Sequence, residues 1–214
     1  MEKDILIKEY DRLQKIYGSP TRHSVYGGGE ENNPKLCLVF INPTARNIAT
    51  SMDWTGVRYQ WLGTKQIWKF LSNCDLFSAE LNQEIQNKKA KDWDNDFCIK
   101  VYDEVKNKGI YITNLAKCTQ DDARPLKDAI FMKYRDLLLE ELDMVNPEKV
   151  LLFGNQVSSI VLGEKISVSE CRTKQFKLKT KTNTFDTYAV YYPVGNGFFN
   201  ADKAIEDIKI ITSK

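Results

Sequence analysis

The chain contains a single histidine, His23, among 214 residues. Histidine is the usual acid–base group near neutral pH, so any histidine-dependent mechanism rests on that one position. No two cysteines form a C-x-x-C pair. The five present (Cys37, Cys74, Cys98, Cys118 and Cys171) are odd in number and scattered. That pattern points away from a disulfide framework or a metal cluster and toward reduced thiols in the cytoplasm. No apolar run reaches the length of a membrane span, and the stretch MEKDILIKEYDRLQ is charged and helix-like rather than a signal peptide. Neither sign of charge is in excess: 31 basic against 29 acidic residues give a net +2. Whole-molecule charge therefore does not mark a polyanion binder, and any basic surface has to be local. Repeats, linkers and low-complexity stretches are also missing. What remains, 42% hydrophobic and 28% charged, is expected to fold as one domain over residues 1–214 with a sizeable core.

Periodicity supplies the elements. Residues 3–17 carry Ile5, Leu6, Tyr10, Leu13 and Ile16 near helical spacing, and Gly18-Ser19-Pro20 stops that helix. A turn-rich Gly27–Pro34 segment leads to the apolar run 36–41, typical of a strand buried on both faces. A polar loop over 44–61 holds Trp54, Tyr59 and Trp61, and helices are expected over 64–72, 76–90 and 95–107. A second strand covers 110–113 and ends at Asn114. A polar loop from Thr119 to Arg124, then Pro125, leads to a long helix over 126–144 that Asn146-Pro147 breaks. A strand over 149–153 and a helix over 155–162 follow. Residues 174–180 and 185–192 are expected to form a hairpin turning near Thr182-Asn183, before a closing helix over 200–212. This alternation predicts an α/β fold: three layers, α/β/α, around a central, mainly parallel four-stranded sheet.

In open α/β sheets, ligands bind beyond the C-terminal strand ends. Here those ends are Asn42-Pro43, Asn114 and Tyr191-Tyr192-Pro193, the last running into Gly195-Asn196-Gly197. Taken singly, each is also what an ordinary turn or cap looks like. Their coincidence at three strand ends marks one cleft.

These segments resemble the uracil-DNA glycosylase superfamily. LVFINPTARN resembles its first motif, in the G-x-N-P-G form of the mismatch-specific and single-strand-selective branches. IYITNLAKC, followed by a long helix and NPEKVLLFGN, is similar to the family 4 pattern Y-I-T-N-x-V-K-C…L-x-x-x-L-x-x-x-x-P-x-x-I-x-x-L-G. Trp61-Leu62-Gly63 sits where that family has Phe-Val-Gly, and YYPVGNG takes the place of the second motif, normally H-P-S. The resemblance covers roughly residues 22–200.

What the resemblance implies is a DNA glycosylase that flips a uracil-type base out of DNA and hydrolyses its N-glycosidic bond. Asn42 then orients the water, and Tyr192 or a backbone N–H of 194–197 serves the leaving base. Ile41, Pro43, Trp61 and Asn114 line the base pocket, with Trp61 stacking and the Asn114 amide matching the donor–acceptor edge of uracil. Gly195, Asn196, Gly197 and Phe198 contact DNA, with Phe198 or Phe199 as a wedge; alternatively both phenylalanines open the last helix as core residues. Lys174, Lys177, Lys179 and Lys181 either meet phosphates or protect an edge strand. The departures matter. Thr44 replaces a glycine, Tyr192 the usual histidine and Val194 the usual serine. Family 4 holds an iron–sulfur cluster on four cysteines, whereas only Cys118 matches a ligand position here and Tyr134 falls near another, so no cluster or other cofactor is expected. His23 is expected to be structural or superficial. The expected protein is a cytoplasmic monomer with DNA as partner and no membrane. A catalytically weak or silent base binder, and a hydrolase of free nucleosides, remain as alternatives.

Overall fold

The computed structural model describes residues 2–123 and 126–213; Arg124-Pro125 of the expected polar loop lies outside them. Three apolar runs form the strands β2 (Leu36–Phe40), β3 (Ile110–Asn114) and β4 (Lys149–Phe153), nearly every residue of which is buried. Their β-branched and aromatic content suits a sheet covered on both sides. With β6 (Thr184–Val190) they form a parallel block in the order β3-β2-β4-β6.

The sheet is nevertheless six-stranded and mixed, not the expected four. Gly28–Gly29, β1, pairs antiparallel with β3. Gly29 has φ +110°, and a side chain there would meet the Ile110 carbonyl at 2.2 Å, so only glycine permits this edge. At the other edge β5 (Gln175–Lys179) pairs antiparallel with β6 as the expected hairpin. Gln175, Lys177 and Lys179 are exposed on it, and Lys177 pairs with Asp186; charged residues on an edge discourage further strand pairing.

Alternate strand residues face opposite layers. One face packs Leu38, Ile112 and Leu151 against α2 (Gln66–Asn73), α3 (Ala79–Asn87), α4 (Asn95–Asn107) and α7 (Ala201–Thr212). The other packs Val39, Tyr111 and Leu152 against α1 (Lys3–Tyr17), α5 (Asp128–Val145) and α6 (Asn155–Leu162). Two cores thus flank one sheet. Among the described residues, no helix is long and apolar enough to cross a membrane.

Candidate functional site

Phe40 and Asn114 are register partners at the C-terminal ends of adjacent parallel strands. Paired residues of parallel strands point the same way, so both side chains lie on the α2/α4/α7 face. The segments that follow leave the sheet together. Leu115 N–H donates to the Phe40 carbonyl (2.7 Å), Ala116 N–H to Ile41 (3.0 Å), and Gln120 N–H to Pro43 (3.1 Å). This ladder keeps the Asn42-Pro43 turn beside the loop after Asn114.

Asn114 is 1% exposed, and neither its Nδ2 nor its Oδ1 has a hydrogen-bond partner. Buried side-chain amides are normally satisfied, because an unpaired one costs roughly 1–3 kcal/mol. Rings crowd the same strand ends. Phe40 stacks on Phe153 (4.3 Å between centroids) and meets Trp61 and Tyr192 edge-on, at 5.1 and 6.2 Å. Trp61 sits at φ +63°, a conformation a bulky residue adopts only where the surroundings enforce it. Its carbonyl accepts from Thr64 N–H (3.1 Å) and Thr64 Oγ1 (2.6 Å). Its indole Nε1 is buried without a partner.

Asn42 is half-buried. Its Nδ2 donates to the Pro43 carbonyl (3.0 Å), and among the described residues its Oδ1 has no partner. Burial pushes the Tyr192 hydroxyl up to about 12, so it is a neutral donor at ordinary pH. The turn after Tyr192 closes tightly: a side chain at Gly197 would strike the Tyr192 carbonyl at 2.0 Å, and Gly195 has φ +58°. Asn196 lies in this turn; its side chain is outside the described residues. Residues 195–200 form a short 3-10 turn. Phe198 and Phe199 are 62% and 92% exposed in it, which overturns the alternative that they are core residues opening the last helix.

A sequence model of the Uracil DNA glycosylase superfamily matches residues 26–203. The chain belongs to that superfamily. Members of the superfamily act on DNA, and the matched span contains every element of the site just described. Laying FINPT of this superfamily member on G-x-N-P-G puts Phe40 on the first glycine. Sequence reasoning missed that substitution and the ring hub it creates. It also missed Gly154, whose φ of +95° turns β4 directly into α6. No side chain caps α6, which leaves its first N–H groups without a side-chain partner. A side chain at Gly154 would touch Tyr192 Cβ at 3.6 Å, next to the site.

Not every expected residue joins the site. The Ile41 side chain packs into the opposite layer, with α1, α5 and α6, because it falls one residue out of phase with Phe40; only its carbonyl takes part in the loop ladder. Pro43 is buried and contributes its carbonyl. The His23 backbone is tied down, its N–H to the Thr50 carbonyl (2.8 Å) and its carbonyl to Thr119 Oγ1 (2.6 Å). Cys118 is fully buried, and burial raises its thiol pKa. Among the described residues, no three His, Cys, Asp or Glu side chains are grouped to hold a metal. Two surface clefts, of about 510 and 390 Å³, lie along α3–α4 and at the β1 edge, and neither is lined by these residues.

Proposed function

We propose that this superfamily member is a DNA glycosylase that removes uracil or a related deaminated base. The observation that carries the reading is the buried, unpartnered Asn114 amide next to Phe40, whose ring meets Trp61 and Tyr192 edge-on. Nδ2 can donate to a ring carbonyl while Oδ1 accepts from the adjacent ring N–H, an edge that uracil has and cytosine lacks. A matched pair of this kind discriminates by about 1–3 kcal/mol. Stacking on Trp61 adds about 1–3 kcal/mol toward the cost of extruding the nucleotide. Asn114 is 1% exposed, so a base reaches it only after the groups that cover it move aside.

Cleavage breaks the C1′–N bond, joins water oxygen to C1′, and leaves the base as an anion that takes up a proton. Asn42 Oδ1 orients that water; an amide is too weak a base to deprotonate it. The Tyr192 hydroxyl donates to the developing anion where other members use histidine. Loss of one such donor typically costs about 10²–10³ in rate. Phe199, more exposed than Phe198, is the better wedge for the gap the base leaves. One observation favours a second reading, a member that binds a base without cutting: tyrosine stands where the histidine is usual.

The deciding assay uses labelled oligonucleotides carrying uracil, hypoxanthine or xanthine, single- and double-stranded, treated with alkali after incubation. Alkali-labile breaks at the modified base support the proposal. Uracil binding without breaks supports the second reading. Turnover of free nucleosides alone rejects both.

A further inference from the structure

Behind Asn114, on the opposite sheet face, a lysine and a glutamate are buried together. Lys117 is 0% and Glu141 5% exposed. The Lys117 ammonium donates to Glu141 Oε2 (2.6 Å), Thr113 Oγ1 (2.7 Å) and the Asn114 carbonyl (2.6 Å). Glu141 Oε1 accepts from the hydroxyls of Tyr111 (2.9 Å) and Thr113 (2.8 Å), and its Oε2 also accepts from Tyr10 (2.8 Å). With Lys117 as an ammonium and Glu141 as a carboxylate, all three donor bonds and all four accepted bonds are made at once.

Every member of this network is satisfied, unlike the amide next to it. A buried ion pair seldom stabilises a fold more than well-packed hydrocarbon of the same size. Its use here is therefore sought in geometry. Asn114 is the last residue of β3, and its carbonyl is held by the third ammonium proton. The next N–H, Leu115, is held by Phe40. Together the two bonds clamp the peptide unit that follows Asn114. Thr113, Tyr111 and Tyr10 tie the same network to β3 and α1.

We infer that Lys117, with Glu141 as its counter-charge, is a positioning residue that fixes Asn114 for base reading. It touches no substrate and acts only through the peptide it holds. The inference rests on the reading of Asn114 as the base-reading amide.

The test compares wild-type protein with the double variant Lys117→Met/Glu141→Gln. This variant removes both charges while Gln Oε1 still accepts from the Tyr111 and Thr113 hydroxyls and its Nε2 donates to the Tyr10 oxygen. Three quantities are measured: the unfolding midpoint, the side-chain amide resonances of Asn114 in ¹⁵N spectra, and affinity for free uracil against cytosine. The variant is expected to fold, to show broadened or doubled Asn114 amide signals, and to lose uracil affinity tenfold or more. Unchanged Asn114 signals with unchanged uracil preference would overturn the inference. A second measurement needs no variant: the Lys117 ammonium protons of the wild-type protein are expected to exchange with water far more slowly than those of surface lysines. Exchange at the surface rate also overturns it. If wild-type protein neither binds uracil nor cuts uracil-containing DNA, the functional reading fails, while the amide signals still decide whether Lys117 holds Asn114.

Discussion

Replacing Asn114 with valine is expected to make the protein more stable and to end its base recognition. The amide is 1% exposed with both polar atoms unpartnered. Burying such a group without hydrogen bonds costs roughly 1–3 kcal/mol by protein mutational measure. Valine carries no polar atom, exceeds asparagine by about one methylene, and suits the interior of a strand such as β3. Asn114→Val should therefore recover most of that penalty. For a chain of this length, about 1 kcal/mol moves the melting temperature by roughly 2–4 °C, so a rise of about 3–10 °C is expected by calorimetry. The same sample should lose measurable uracil affinity. Such opposition between stability and function is typical where a site holds polar groups ready for a ligand. A lowered melting temperature would refute the reasoning, because it would mean that the amide supports the fold. Retained uracil affinity would refute it equally, because another group would then read the base.

Three further outcomes follow from the same geometry. Asn42→Ala should abolish cleavage while DNA affinity, measured by titration, stays within a few-fold; unchanged cleavage removes Asn42 from the chemistry. Burial holds the Tyr192 hydroxyl at about 12 against an ordinary 10.0. The fold keeps that proton after the unfolded chain has lost its own, so the contribution of Tyr192 to stability is constant below pH 10 and falls by about 1.4 kcal/mol per unit as pH rises from 10 toward 12. Single-turnover rates should accordingly show no tyrosine ionisation up to about pH 11, and Tyr192→Phe should slow them by about 10²–10³; a descending limb near pH 10, absent in Tyr192→Phe, would contradict the assignment. Phe199→Ala should weaken double-stranded DNA binding and leave free-uracil affinity unaltered, whereas equal effects on both would place Phe199 outside the wedge role.

The central strands were legible because continuous apolar runs of three to six residues, closed by Asn or Gly or opened after Gly, have few other uses. Asn42 and Asn114 were legible for a related reason: polar residues closing such runs stand at strand ends by necessity. The edge strand at Gly28–Gly29 was not, since two glycines carry no periodicity and pair only because β3 lies beside them.

The sequence alone determined the layer order, the strand-end positions of Asn42 and Asn114 and the superfamily resemblance, because these depend on local pattern. Tertiary structure decided the rest. Which face a strand residue takes depends on register, and register put Phe40 beside Asn114 while turning Ile41 away. Whether a phenylalanine is core or surface depends on what packs over it, and nothing covers Phe199. Lys117 and Glu141, 24 residues apart in the chain, meet only because α5 crosses the back of the sheet behind Asn114.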